Sequence, residues 1–527
     1  MELVPKMEIP ARDHYLKALL VLAIALTALV ASDSYFTFLE DETYIVSAAG
    51  LPVRQTLALF QSGQGQHEHP PLSDLLLHFW LPMAGSSRLL LRLPSMVLYL
   101  LGLVLLGLSA ERFAGRSAFN SLIYLGCIWP FAFHFARMTG WYSFCFFLSA
   151  VMTFSYFRYL EKPCCGRLII FIGTAGLMLY SNYYGWALLS IFALDICARK
   201  RAEALRFICC VFGSLALVYF PMWAVFFNEL HGYTSTTAGR SIVSPIVNTI
   251  YCFYSLMVSE SVAPWIWPLS IPAGIAILVS VVAATVLLPR RCRPFLLYFA
   301  LLFGGMAAIG IMGTKRLLFI SGWLLFSFSI ALANRKMKTV RKLLILSLLI
   351  VALTGWAGVF ARRWYAAPHF IEPWAEIADE ATVAVEHGQV VVSNSPSFLF
   401  YANYALQNHG LLKGAFSPGW VKDPRIATVD TEPRFTGVST FAPPTVSSVL
   451  FVSGVNVSAV DETNRAESWL RTNCFLVSTR KQVRDTGYSL KARFFKDCDQ
   501  PEYRIVLEQY QCIQPQTGDK QNSPQPQ

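Results

Sequence analysis

The chain has 527 residues, 55% hydrophobic and only 14% charged, with a mean hydropathy of +0.47. A soluble globular protein of this length has no use for so much apolar surface, which excludes that class in favour of a polytopic membrane protein. Nor does the net charge of +11 imply nucleic acid. Residues 1–363 hold 29 Lys+Arg against 15 Asp+Glu and residues 364–527 hold 14 against 17, so the excess sits in the membrane part, where positive-inside bias and anionic lipid account for it.

The first predicted span covers residues 16–31. Its preamble is weakly basic (Lys6, Arg12, Lys17) and no small-residue cleavage site follows, so it reads as a retained span rather than a signal peptide. An acidic loop comes next: Glu40, Asp41 and Glu42 stand at its start, and Glu68, His69, Pro70 and Pro71 close it. Within this region, 35–88, residues 44–60 and 75–82 predict short helices lying along the membrane surface. Carboxylates at the mouth of a span are costly unless they face water or a partner, which makes them functional candidates.

Ten further spans are predicted at 89–109, 118–135, 141–157, 168–180, 186–198, 207–227, 264–288, 295–312, 317–333 and 343–360. A hinge SNYYG at 181–185 and a polar loop at 228–261 interrupt the series. Eleven spans put the N-terminus inside and the C-terminal part outside. The basic clusters at 112–116, 158–167, 199–206, 290–293 and 335–342 all fall inside on this scheme, as the positive-inside rule requires. It leaves Arg137, Lys315/Arg316 and Arg362/Arg363 on the outer side, where basic residues need another reason.

From Trp364 the composition changes. Strand-like runs at 389–393, 448–453 and 504–510 and a helix-like run at 372–388 predict a soluble α/β domain over 364–513, followed by a Gln/Pro-rich disordered tail, 514–527. The membrane part, 1–363, is predicted as one α-helical unit. Most of the twelve cysteines lie in apolar spans and behave as small hydrophobes. Of Cys474, Cys498 and Cys512, two can pair if that domain is outside the cell; the sequence does not say which.

The unexplained charged groups, Asp41, Glu42, Glu68, His69, Arg137, Lys315 and Arg316, share the predicted outer face with the SNYYG hinge. Carboxylates beside cations at a lipid boundary suit sugar transfer from a lipid-linked phosphate: cations hold the departing phosphate and a carboxylate deprotonates the acceptor.

The chain also resembles the bacterial GT-C glycosyltransferases that use polyprenyl-phosphate sugars, relatives of the protein O-mannosyltransferases and lipid A aminoarabinose transferases. The resemblance rests on Asp41-Glu42 after the first span, His69-Pro70-Pro71-Leu72, Arg92-Leu-Pro-Ser95, Arg137 with Tyr142, the turn Asn182-Tyr183, and Lys315-Arg316. It covers roughly residues 15–335. It implies that Asp41 is the catalytic carboxylate, that Glu42 orients it or binds the acceptor, and that Lys315, Arg316 and Arg137 hold the donor phosphate. His69, Tyr142, Asn182 and Tyr183 are the implied substrate contacts. In the aminoarabinose transferases the acid at Glu68 helps bind a metal and is followed by Lys, where this chain has His69, so a divalent metal ion at Glu68 stays open. Asn182 stands where the family's turn has His, and Leu317 where its late span has Tyr. No Trp-Trp-Asp motif occurs.

These readings predict an integral enzyme of the cytoplasmic membrane. It would transfer a sugar from a polyprenyl-phosphate donor to a lipid, glycan or protein acceptor outside, by single displacement with inversion. The competing class is a transporter or flippase, which would place ionisable residues near the bilayer midplane on broken helices. Such residues are scarce here, Asp195 lying near an inner end. A binding module on a membrane anchor ranks last, since anchoring needs far fewer spans. Glu229, His231 and Glu260, on the 228–261 loop, are expected to be solvated.

Overall fold

The computed structural model describes residues 12–33, 36, 42, 45–46, 49–62, 69–85, 87–228, 243–308, 312–366, 373–393, 398, 426–428, 448–454, 465–483 and 504–512. The expected tail, 514–527, lies outside them. The chain divides between Ile371 and Glu372 into a helical unit and a unit built on a sheet.

The helical unit runs α1 (Arg12–Ala31), α2 (Val53–Ser62), α3 (Leu72–Ala84), α4 (Arg88–Ala114), α5 (Arg116–Ile128), α6 (Pro130–Phe135), α7 (Trp141–Glu161) and α8 (Cys165–Leu179). It continues with α9 (Gly185–Arg199), α10 (Arg201–Val218), α11 (Val243–Val258), α12 (Trp267–Leu287), α13 (Arg293–Ala308), α14 (Leu318–Ala333) and α15 (Lys338–Ala361). α14 is its axis. Every residue from Leu318 to Leu332 is buried, and a helix apolar on all sides belongs in the middle of a bundle. α4, α5, α7 and α13 pack around it. α12 shows the opposite pattern: Ile271, Ile275, Leu278 and Val282 form one exposed apolar stripe, which suits a face turned to lipid.

Five described helices are long and apolar enough to cross a membrane: α4, α7, α12, the run Thr314–Ala333 and α15. A sixth is added if Arg201–Val218 and Phe220–Asn228, bent by 60°, form one span. Four more apolar helices are shorter, including Tyr15–Ala31 and Arg293–Ala308. Among the described residues, then, five or six helices reach that length, against the eleven or so spans, some of them short, expected from the sequence. The reasons are local. Pro130 ends α5 at Trp129, whose extended backbone is what a residue before proline adopts, so the predicted 118–135 span is broken. Pro221 stands at the 60° bend.

The largest departure is α11, which occupies 243–258 where a polar loop is predicted. It is tied at both ends to one neighbourhood. Asn248 Nδ2 donates to Met312 O at 3.3 Å, and Thr314 Oγ1 donates to Glu260 just beyond the helix. Its C-terminus meets α15 without an intervening side chain. A Cβ on Gly355 would overlap Val258 O and stand 2.6 Å from Pro130 Cγ; one on Gly358 would overlap Ser261 O and stand 2.5 Å from Val262 Cγ2. Ser261 Oγ donates to Gly355 O at 2.7 Å across the same seam.

The second unit holds α16 (Trp374–Glu386), α17 (Arg465–Asn473) and five strands: β1 (Val390–Ser393), β2 (Ile426–Thr428), β3 (Ser448–Ser453), β4 (Cys474–Val483) and β5 (Arg504–Cys512). The sheet order is β2-β1-β3-β5-β4. β1 pairs in parallel with β2 and β3 (Val391 opposite Ile426 and Leu450), whereas β5 runs antiparallel to β3 and β4 (Tyr510 opposite Val449 and Leu476). Its core gathers Val390, Val392, Val449, Phe451, Leu470 and Tyr510. The cysteine pairing left open by the sequence is Cys474 with Cys512, directly opposite in the β4/β5 register. Cys498 lies outside the described residues.

Candidate active site

The site begins with a buried arginine. Arg92 sits one turn into α4, with its side chain 1% exposed. Its Nε and Nη2 grip the two oxygens of Glu42 at 2.9 and 2.6 Å, and its Nη1 donates to Asp33 Oδ1 at 3.0 Å and Phe36 O at 3.3 Å. Arg88, one turn earlier, takes the other Asp33 oxygen at 3.1 Å. Glu42 is fully buried and also accepts Thr139 N at 2.8 Å. Charges this deep are tolerated only when paired and hydrogen-bonded, and the fork-to-fork geometry supplies both. The network ties the end of α1, the acidic loop and the turn before α7 to α4.

Glu42 is thus occupied by three N–H donors, and its geometry is that of a residue positioning its neighbours. Asp41, the adjacent residue and expected base, lies outside the described residues, as does Glu68. Among the described residues no group of three or more His, Cys, Asp or Glu comes together to hold a metal ion.

Arg137 lies beside this network and is 2% exposed, not snorkelling into a headgroup region. Its guanidinium covers the Phe36 ring at 3.3 Å from the centroid, and its Nε donates to His134 O at 3.4 Å. Among the described residues its buried Nη1 has no hydrogen-bond partner. Burial pushes its pKa down, and the nearby Arg92 charge adds to that. The Thr139 hydroxyl, also buried, lacks a partner as well.

The other expected residues fall into two groups. His69 is buried, with its ring 5.6 Å from Trp141, which packs on Tyr142 at 4.3 Å. Leu72 N donates to Tyr180 O at 3.0 Å, so the His-Pro-Pro-Leu segment lies against the SNYYG turn. There Asn182 is buried and its Oδ1 accepts Tyr184 N at 2.9 Å: its side chain shapes the turn. Tyr183 packs on Phe226 at 5.6 Å, whereas Tyr184 stacks on Phe319 at 5.5 Å, next to the second group. That group is a 3-10 turn, Thr314–Leu317, in which Lys315 and Arg316 are half-buried.

Several members of this end of the molecule carry no sequence signal of their own. Glu260 is buried, not solvated as expected, and accepts the Thr314 hydroxyl. Its backbone oxygen takes Ala366 N at 2.9 Å, while Ala263 N donates to Trp364 O at 2.7 Å. These bonds draw the segment after α15 inward, so that Tyr365 OH meets His134 Nε2 at 2.8 Å beside Arg137. Asp33 is a further addition. It follows α1 by two residues and looks like a boundary acid until Arg88 and Arg92 are placed on one face of a helix, four residues apart.

At the opposite end Asp195 is 1% exposed. Tyr156 OH and Tyr298 OH donate to it at 2.7 and 2.6 Å, and Arg199 Nε lies at 2.6 Å. Three donors from α7, α13 and its own helix satisfy this carboxylate.

No family model matches the chain, and no curated protein matches its sequence. Among solved structures it is similar to the crystal structure of ArnT from Cupriavidus metallidurans in the apo state, at 14% identity and a TM-score of 0.40, over 93% of this chain and 97% of that one. It is similar also to the crystal structure of that protein bound to undecaprenyl phosphate, at 14% identity and a TM-score of 0.35, over 94% and 98% of the two chains.

Proposed function

We propose that the chain is an integral membrane glycosyltransferase that moves a sugar from a polyprenyl-phosphate donor to an acceptor outside the cytoplasmic membrane. The observation that carries this reading is Arg137. Arg88 and Arg92 are matched by Asp33 and Glu42, whereas Arg137 is buried with a guanidinium nitrogen unpartnered among the described residues. A buried guanidinium nitrogen without a hydrogen-bond acceptor is costly, and an anionic group seated there relieves the cost. Arginine suits the flat fork geometry of phosphate oxygens. Lys315 and Arg316 are the further donor-phosphate ligands in this reading, and His69 and Tyr142 are substrate contacts.

The mechanism is a single displacement. Asp41 accepts the acceptor's proton while the acceptor oxygen or nitrogen bonds to the anomeric carbon. The bond from that carbon to the phosphate oxygen breaks, and the polyprenyl phosphate leaves against the cations. One displacement inverts the anomeric centre. Because Glu42 is engaged by Arg92 and Thr139 N, we divide the work of the pair: Glu42 holds the loop, and the proton transfer is assigned to Asp41.

The topology in this proposal keeps eleven crossings, some by short or bent helices. We leave α11 out of that count, since Asn248 within it and Glu260 just beyond it are both tied to residues 312–314. The N-terminus then lies in the cytoplasm and the sheet unit, which begins at Glu372 and not at 364 as expected from composition, outside. A Cys474–Cys512 disulfide accords with that compartment. A transporter needs an intramembrane ionisable group able to change partners. Asp195, held by three donors, does not favour that reading.

The test is transfer by the purified full-length protein from a polyprenyl-phosphate-linked sugar. Asp41→Asn should lower the rate by a factor on the order of 10²–10⁴ while leaving expression and thermal stability intact. Transfer at the wild-type rate by this variant overturns the mechanism.

A further inference from the structure

The residue that the reaction above does not use, and that the structure nonetheless builds most carefully, is Glu260. It follows Ser259, a non-glycine residue at φ 85°, and such backbone conformations persist only where the surroundings impose them. Ser259 and Ser261 on either side are fully buried, and Glu260 itself is 4% exposed. A carboxylate is expensive to bury for no purpose.

Its bonds run in two directions. The side chain accepts the hydroxyl of Thr314, the first residue of the 3-10 turn that carries Lys315 and Arg316. The backbone oxygen accepts Ala366 N, next to Tyr365, which reaches His134 at 2.8 Å, and Arg137 Nε donates to the His134 carbonyl at 3.4 Å. Glu260 therefore stands between the two sets of basic residues that are far apart in the chain, Arg137 on one side and Lys315/Arg316 on the other.

We infer that Glu260 is a positioning residue: through Thr314 on one side and Ala366–Tyr365–His134 on the other, it sets the distance between Arg137 and the Lys315–Arg316 turn, so that all three bear on one phosphate group. The inference rests on the donor-phosphate reading above. A carboxylate does this better than an amide, because its bond to the Thr314 hydroxyl is charge-assisted, and a turn held that way has little freedom to wander.

The probe is undecaprenyl phosphate, titrated onto the full-length protein in nanodiscs. Wild type, Thr314→Val, Glu260→Gln, Lys315→Ala and the double variant Thr314→Val with Lys315→Ala are compared, each checked for a wild-type melting midpoint. Thr314→Val deletes the hydroxyl and leaves Glu260 in place, so it guards against a Glu260 variant that fails to fold. We expect Thr314→Val to weaken binding at least tenfold and Glu260→Gln to weaken it less, with the double variant no weaker than Thr314→Val alone, because a misplaced turn has already lost what Lys315 contributes. In transfer assays KM for the donor should rise while kcat changes little. Undiminished binding by Thr314→Val, or losses that simply add in the double variant, overturn the positioning role. If wild type itself does not bind undecaprenyl phosphate, the donor-phosphate reading falls and takes this inference with it.

Discussion

Replacing Arg92 by Met removes the guanidinium that neutralises two buried carboxylates while keeping most of the side-chain stem. Glu42 would lose bonds at 2.9 and 2.6 Å while the one from Thr139 N stays, and Asp33 would lose one of its two arginines. Removing one partner of a buried ion pair costs about 3–5 kcal/mol, because the other charge is left stranded. In a large unit each kcal/mol moves the midpoint by roughly 2 °C, so the expected fall is about 6–10 °C. Membrane proteins of this size unfold irreversibly, so apparent midpoints must be compared at one scan rate, in one detergent. The charge argument makes a second demand. Adding Glu42→Gln to Arg92→Met should recover part of the loss, since the stranded carboxylate is then gone. Transfer activity should stay low in both, because the acidic loop is no longer anchored to α4. A wild-type midpoint for Arg92→Met, or a double variant less stable than the single, would show that the network is dispensable and refute the reasoning.

Other substitutions test other parts. Arg137→Gln should weaken undecaprenyl phosphate binding by about 10–100-fold, the scale of a lost charge-assisted bond, yet leave the midpoint unchanged or higher, because a buried cation short of partners is removed; titration and a melting curve together check both signs. Gly355→Ala should lower the midpoint by several degrees through its collision with Pro130 and Val258, whereas Gly274→Ala, with nothing within 4 Å of the added carbon, should raise it slightly or leave it alone. Cys512→Ser opens a disulfide spanning 38 residues, which the chain-entropy model values at about 4 kcal/mol; proteolysis of the C-terminal unit should accelerate, and thiol counting should find one new reactive cysteine, Cys474.

Much of the helical unit is legible because apolar runs punctuated by basic clusters are local signals written in consecutive residues. The breaks at Pro130 and Pro221 are also in plain view, but their effect on a span is read only when the flanking helices have directions. α11 escapes because Ser244, Asn248 and Thr249 dilute its hydropathy and a polar stretch precedes it. The site divides in the same way. Asp41-Glu42, Arg137 and Lys315-Arg316 stand out by type and place. Asp33, Glu260, His134 and Tyr365 do not, since each takes its meaning from a partner 54 to 231 residues away or from a helix face. Glu260 shows the limit most clearly: an acid in a polar stretch looks solvated until Thr314 is laid beside it.

The glycine seam between α15 and the end of α11 separates two properties that usually travel together in a last span. Hydropathy alone would let almost any apolar helix of 24 residues enter the bilayer in place of Lys338–Ala361. Only one with bare backbone at 355 and 358 can come close enough for Ser261 to reach the Gly355 carbonyl. A transplanted leucine-rich span should therefore insert with full efficiency and still fail to deliver Tyr365 to His134, so that correct membrane integration would report nothing about assembly of that end of the bundle.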